Sequence, residues 1–309
     1  MGTGRFGHII PAMQVLITGA TGFVGGLLAR KLLDEGADVR CLVRDAGRAK
    51  HLADAGAALH EGDVLEAESI KGSGDGVDVA YYLVHGMGRG SHGSFAERER
   101  ETARNFARAM KEEGVDRVVY LGGLGEDPSS EHLKSRHETG EILREEGPDL
   151  TYFRAAMVVG SGSESYRTLR YLVKRLPVMI APSWLNTPTQ PIAAKDVISF
   201  LSEAPQVGDS RSSEIQIGGP DVVSYKDMLD RMAVALGRRP RPKLPVPVLS
   251  PTLSAHWIGL VTPVDAGVAK PLVEGLATKT VVTDPDGMKL FDVDPMGIDE
   301  ALRRAIAAE

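Results

Sequence analysis

The sequence predicts an α/β fold, a doubly wound parallel sheet carrying a small C-terminal lobe, on three observations. The first is a short apolar run, Val15-Leu16-Ile17, of the kind that forms a strand buried on both faces. The second is a glycine-rich turn opening a helix. Gly19, Gly22 and Gly25 lead into a helical period with Phe23, Val24, Leu27, Leu28 and Leu32 on one face, and Arg30, Lys31, Asp34 and Glu35 on the other. The third is a return to strand at Val39-Arg40-Cys41-Leu42-Val43, just after Gly36, a helix C-cap residue. Residues 14–45 therefore read as one β-turn-α-β unit.

The glycines have a chemical reading as well as a structural one. A tight strand-to-helix turn needs positive φ, a bound pyrophosphate needs close backbone approach, and the helix must pack hard on its strand. The N–H groups and dipole at the helix start then hold phosphate. The spacing is Gly-x-x-Gly-x-x-Gly, not the dinucleotide fingerprint Gly-x-Gly-x-x-Gly. Its place between a buried strand and an amphipathic helix is what favours dinucleotide binding over a merely structural turn. Thr18, Gly19, Thr21, Gly22, Phe23, Val24 and Gly25 are the candidate contacts.

Arg44 ends the second strand about 20 residues past the glycines, where a carboxylate would accept from the ribose hydroxyls of NAD. A guanidinium there, with Arg48 close behind, suits the 2′-phosphate of NADP instead. Asp45 is the counter-signal, as a helix N-cap or as a ribose ligand. NADP is expected over NAD, with NAD kept open.

The segment Thr18-Gly19-Ala20-Thr21-Gly22-Phe23-Val24-Gly25 resembles the phosphate loop of the atypical and extended short-chain dehydrogenase/reductases. The likeness is greatest to the NmrA-like and NAD(P)H-binding epimerase/dehydratase-like members. It implies a Rossmann-type nucleotide domain, a nicotinamide cofactor and a small-molecule substrate held against a C-terminal lobe.

Composition narrows the classes. The 309 residues suffice for one α/β domain with an appendage, and the net charge of −6, both signs interspersed, offers no nucleic-acid surface. Cys41 is the single cysteine and lies in an apolar strand, which excludes an intramolecular disulfide and fits a reducing cytoplasm. Residues 1–12 are glycine-rich without an apolar core segment, so disorder is expected there rather than a signal peptide, and Met13 hints at a natural start. The eight histidines show no metal-ligand spacing.

Along the chain, Ala46–Ala55 reads as a short helix and Ala58-Leu59-His60-Glu61 as the third strand. It leads to Asp63 and Val64, where the resemblance places a contact with adenine; the alternative is a plain N-cap. The fourth strand, Val77–Val84, runs into His85-Gly86, which the resemblance sets near the nicotinamide ribose. Phe95–Glu113 is a long helix with Phe106 and Met110 toward the sheet and a solvated charge run at 97–101. Arg117–Leu121 is the fifth strand, followed by Gly122 and Gly123.

Active short-chain dehydrogenases place a serine after that strand and a Tyr-x-x-x-Lys pair on the next helix, the lysine lowering the tyrosine pKa. Here the serine place holds Gly122 and Gly123. Aligning Glu141 with the family pattern puts Leu133 at the tyrosine place and His137 at the lysine place. The remaining proton donors are His137, His132 and Tyr81, or an ordered water.

Leu150–Gly160 is the sixth strand and its exit; it resembles the family's Arg-Pro strand, with Ala155 for the proline. Helices come next at Tyr166–Leu176 and Asp196–Glu203, then a late strand at Ser213–Pro220, and further helices at Ser224–Leu236 and Asp299–Ala308. Pro177–Gln190 has too many prolines for regular structure and is expected to wall a pocket made by Gly123, Met157, Trp184 and Gln190. The boundaries are a nucleotide domain at 13–160, returning to the sheet at about 190–218, and a lobe at 161–189 and 219–309. Residues 244–264 carry no charge but hold four prolines, which argues against a transmembrane helix and leaves lobe core, oligomer surface, or an apolar lid or membrane-resting patch. The oligomeric state, including a homodimer, is open. Two functions fit this reading: an NADP(H)-dependent oxidoreductase acting on a small organic molecule, or a non-catalytic NADP(H) sensor.

Overall fold

The computed structural model describes residues 13–84, 92–125, 131–246 and 277–309. The first half alternates strand and helix: β1 (Gln14–Thr18), α1 (Phe23–Asp34), β2 (Asp38–Val43), the single turn α2 (Lys50–Ala53), β3 (Ala58–Glu61), β4 (Val79–Tyr82), α3 (His92–Glu112), β5 (Arg117–Gly123), α4 (Glu131–Glu146) and β6 (Asp149–Ala155). Then come β7 (Val158–Val159), α5 (Glu164–Arg175), β8 (Met179–Pro182), β9 (Pro188–Thr189), β10 (Ile192–Ala193), α6 (Ala194–Glu203) and β11 (Glu214–Ile217). The described chain closes with β12 (Val223–Ser224), α7 (Tyr225–Ala235), β13 (Lys243–Val246) and α8 (Ile298–Ala307).

Seven strands form one sheet in the order β11-β6-β5-β4-β1-β2-β3, each neighbouring pair parallel. This is the doubly wound fold that the sequence predicts. Strand order reverses between β1 and β4, and ligands of such sheets bind at that reversal, beyond the carboxyl ends of the strands.

Alternation along the strands divides the core. Ile17, Cys41, Tyr81, Val119 and Phe153 pack with residues of α1 and α6, while Leu16, Ala80, Tyr82, Tyr120 and Tyr152 pack with α3 and α4. Both faces are covered, which is why the strands read as unbroken apolar runs. Cys41 is buried and free, and burial pushes its thiol up to about 12. A third cluster joins Tyr166, Leu169 and Val173 of α5, Met228 and Met232 of α7, and Leu302 of α8.

Two expectations are corrected. Pro177–Gln190 is not irregular: β8 pairs in parallel with β13, a 3-10 turn covers Ser183–Asn186, and β9 pairs with β12. Prolines 182 and 188 sit at the ends of two-stranded ribbons, where a missing ladder donor costs little. The charge run at 97–101 is only partly solvated. Arg100 pairs with Glu138 at 2.9 Å and Glu99 accepts from Ser135, binding α3 to α4. Residues 1–12 and 247–264 lie outside the described residues. No helix among those described is long and apolar enough to cross a membrane.

Candidate active site

The glycine loop sits at the strand reversal. Gly19 has φ +70°, and a Cβ there would lie 2.4 Å from the Leu83 carbonyl oxygen, so the turn rests directly on the exit of β4. The Gly22 N–H donates to Gly19 O at 2.9 Å, and a Cβ on Gly25 would lie 2.3 Å from the same oxygen. Gly22 caps α1 with no side-chain hydrogen bond, and the first turn holds no acid. No carboxylate of that turn satisfies its N–H groups, and Gly22 to Gly25 line a cleft. That arrangement fits a pyrophosphate. Thr18 lines the cleft, and its side chain has a structural part as well. Its hydroxyl donates to Tyr81 O (3.0 Å) and accepts from Leu83 N (3.1 Å), tying β1 to β4 beneath the loop.

The cleft holds about 970 Å³ and runs from Arg44 and Arg48, past the loop with Thr21, Phe23 and Val24, to Met157, Leu172 and Trp184. Arg44 and Arg48 are exposed, and neither has an ion-pair partner among the described residues. Asp45 takes its N-cap reading, accepting from Gly47 N at 2.9 Å and Arg48 N at 3.3 Å. Asp63 closes a local turn rather than capping a helix, accepting from Leu65 N at 3.1 Å, while it and Val64 line the cleft. His85 and Gly86 fall outside the described residues.

Where the short-chain enzymes carry a serine there is no room for one. A Cβ on Gly122 would lie 2.7 Å from Tyr152 Cε2 and 3.0 Å from Tyr120 Cε1, and one on Gly123 would lie 2.6 Å from Leu133 Cδ2. Tyr120 and Tyr152 stack at 5.0 Å, and the Tyr120 hydroxyl donates to Arg136 O at 3.0 Å. Arg154 braces this corner, donating to Gly123 O at 3.2 Å and to Gly125 O, and pairing with Glu214 at 2.7 Å.

The candidate proton donors separate. Tyr81 is fully buried on the α6 side, its hydroxyl donating to Leu201 O at 3.0 Å, so it does not reach the cleft. His137 is exposed and does not line the cleft either. One residue of helix is 100° of rotation, and the cleft-facing positions of α4 are His132, Leu133, Arg136 and Thr139. His132 lines the cleft, with Arg136 Nε donating to its Nε2 at 3.1 Å. Burial first, then the Arg136 cation, pushes its pKa down to about 3, so it is neutral. Gly123, Met157 and Trp184 line the cleft as expected, but Gln190 does not. Its amide donates to Gly219 O at 2.7 Å and accepts from Val282 N at 3.0 Å, tying the turn after β9 to the segments around 219 and 282.

Sequence reasoning misses Arg136, although His132-x-x-x-Arg136 has the spacing that puts two side chains on one helix face. Tyr82, Tyr120 and Tyr225 also line the cleft, each with its pKa raised by burial.

A model of the NmrA-like family matches residues 11–209, well over half of the chain. The chain belongs to the NmrA-like family. This NmrA-like chain is 30% identical over 146 residues to the photosystem II assembly factor Ycf39 of Cyanophora paradoxa, covering 46% of its own length and 44% of the relative's. An uncharacterized Mycobacterium tuberculosis protein is 24% identical over 244 residues, 78% of this chain and 25% of the relative. The chain thus spans less than half the length of these curated relatives. A putative dihydroflavonol 4-reductase of Synechocystis is 23% identical over 274 residues, 78% of this chain and 77% of the relative. Among solved structures, the Citrobacter triphenylmethane reductase complexed with NADP(H) superposes with a TM-score of 0.74 at 16% identity, covering 94% of this chain and 99% of that one. The NADPH-dependent quinone oxidoreductase of Escherichia coli, complexed with NADPH, gives 0.71 at 17% over 94% and 99%. At such identities the likeness establishes a shared fold.

Proposed function

We propose that this chain is an NADP(H)-binding oxidoreductase that reduces a small conjugated acceptor, such as a quinone or an enone. The observation that carries the reading is the continuity of one cleft. It joins the uncapped start of α1 and the paired guanidinium groups of Arg44 and Arg48 to a chamber walled by Met157, Leu169, Leu172 and Trp184. A 2′-phosphate suits the arginine end, a pyrophosphate the helix start, and an apolar substrate the lobe end. The triphenylmethane reductase and quinone oxidoreductase that share the fold are complexed with NADP(H) and NADPH, which supports the same cofactor here.

The class of substrate is argued from the proton chemistry of the cleft. Its tyrosines are pushed up by burial, and no lysine lines it among the described residues. Among those residues, nothing resembling an activated tyrosine stands ready to protonate a saturated alkoxide. A conjugated acceptor avoids that need, because its reduction spreads charge into an enolate or hydroquinone anion that water can protonate. The test is NADPH oxidation with a panel of quinones, enones and saturated ketones. Turnover of the conjugated compounds and not of the ketones supports the reading. A sensor is the second reading, favoured by the packing of Tyr152 against Gly122 where a catalytic serine would stand. Tight NADPH binding with no turnover of any acceptor would decide for it.

A further inference from the structure

Helix α4 sets two cleft-lining side chains against each other one turn apart. Arg136 Nε donates to His132 Nε2 at 3.1 Å, and both line the cleft beside Leu133, Gly123 and Tyr120. Since Nε2 accepts, the imidazole is neutral and its single proton sits on Nδ1. His132 also stands in the first turn of α4, where the helix dipole disfavours a cation. Among the described residues Nδ1 has no hydrogen-bond acceptor. A neutral imidazole with a fixed N–H is a hydrogen-bond donor for developing negative charge, not a proton acid.

We propose that His132 Nδ1–H is the donor that meets the substrate oxygen as it gathers charge, and that Arg136 is the positioning residue that fixes the tautomer. The pair keeps the i, i+4 spacing of Tyr-x-x-x-Lys but stands one residue earlier than Leu133 and His137, on the face that the helix presents to the cleft. The inference rests on the oxidoreductase reading above. A dinucleotide whose pyrophosphate is held at the glycine loop would supply a hydride from its reduced nicotinamide. In an enone that hydride forms the new C–H bond at the β-carbon, the C=C π pair shifts toward the carbonyl, and the carbonyl π pair becomes the enolate oxygen's charge. His132 Nδ1–H hydrogen-bonds that oxygen without giving up its proton, and water supplies the proton that completes the product. The acceptor gains two electrons and the dinucleotide loses two.

Two readouts test this. The first is 15N NMR of the imidazole nitrogens at neutral pH, with His132→Leu locating the His132 signals. A protonated Nδ1 with an unprotonated Nε2 in the wild type, replaced by a tautomer mixture in Arg136→Leu, is expected. A proton on Nε2, or an imidazolium, in the wild type would overturn the proposal. The second is kinetic, with NADPH and an accepted enone or quinone. His132→Leu should lose on the order of 100-fold in kcat, the usual cost of one oxyanion donor, while NADPH Kd stays within a few-fold. His132→Asn, which keeps an N–H donor, should recover part of the loss. Unchanged kcat in a folded His132→Leu protein would overturn the proposal and leave the oxidoreductase reading standing. A wild-type protein that reduces no acceptor would overturn both.

Discussion

The ring of Tyr152 occupies the space that a side chain on Gly122 would need: a Cβ built there lies 2.7 Å from Tyr152 Cε2 and 2.8 Å from its hydroxyl oxygen. The same ring lies 2.6 Å from where a Cβ on Gly140 would be, so β5 and α4 both give up side chains to admit it. The missing serine is thus part of a packing arrangement. Gly122→Ser should fail to restore short-chain dehydrogenase chemistry and should destabilise the fold by about 1–3 kcal/mol through overpacking. Urea unfolding of the variant checks the stability. A stable, more active Gly122→Ser protein would show that the tyrosine can yield.

Gly19 offers a second test. Its positive φ alone would cost an L-residue about 1–2 kcal/mol. A Cβ there would also meet Leu83 O at 2.4 Å. Gly19→Ala should therefore lose more stability than that and weaken NADPH binding, because the turn must move off β4. Comparing its denaturation midpoint and NADPH Kd with those of Gly36→Ala separates strain from clash. Gly36 also has positive φ, but a Cβ there meets nothing within 4 Å.

How much of this is legible in the sequence depends on the distance over which each feature is made. The strands and the first helix are written in local periodicity, and the turn glycines in their order between strand and helix. Asp45 is readable as a cap because its partners lie two and three residues away. Gln190 and Tyr81 mislead because their hydrogen bonds reach Gly219 and Leu201, which only the folded sheet brings near. Alignment to Glu141 favours His137 over His132, and a one-residue difference in register turns a helix position by 100°. The pairing of β8 with β13 joins segments some 60 residues apart and leaves no local signal.

Acid should loosen the outer edge of the sheet. Burial alone would raise the Glu214 pKa, but hydrogen bonds from Arg154 (2.7 Å) and Arg144 (3.2 Å) outweigh it and hold the carboxyl below its ordinary 4.5. A depressed folded-state pKa contributes stability that is fully present above the unfolded value and is lost as pH falls through the folded one. Urea unfolding across a pH series below 4.5 should show a steep decline in the wild type and a shallower one in Glu214→Gln. Equal slopes would mean that the pair adds nothing to the pH dependence.

The most direct test of NADP(H) binding is a fluorescence titration of the purified protein with NADPH and NADH, repeated with Arg44→Ala. NADPH should bind more tightly than NADH, and the variant should lose on the order of 10-fold or more for NADPH, the worth of a charge-assisted contact, while NADH affinity stays unchanged. Equal affinity for the two dinucleotides, or an Arg44→Ala protein that binds NADPH as the wild type does, would contradict the 2′-phosphate role of this end of the cleft.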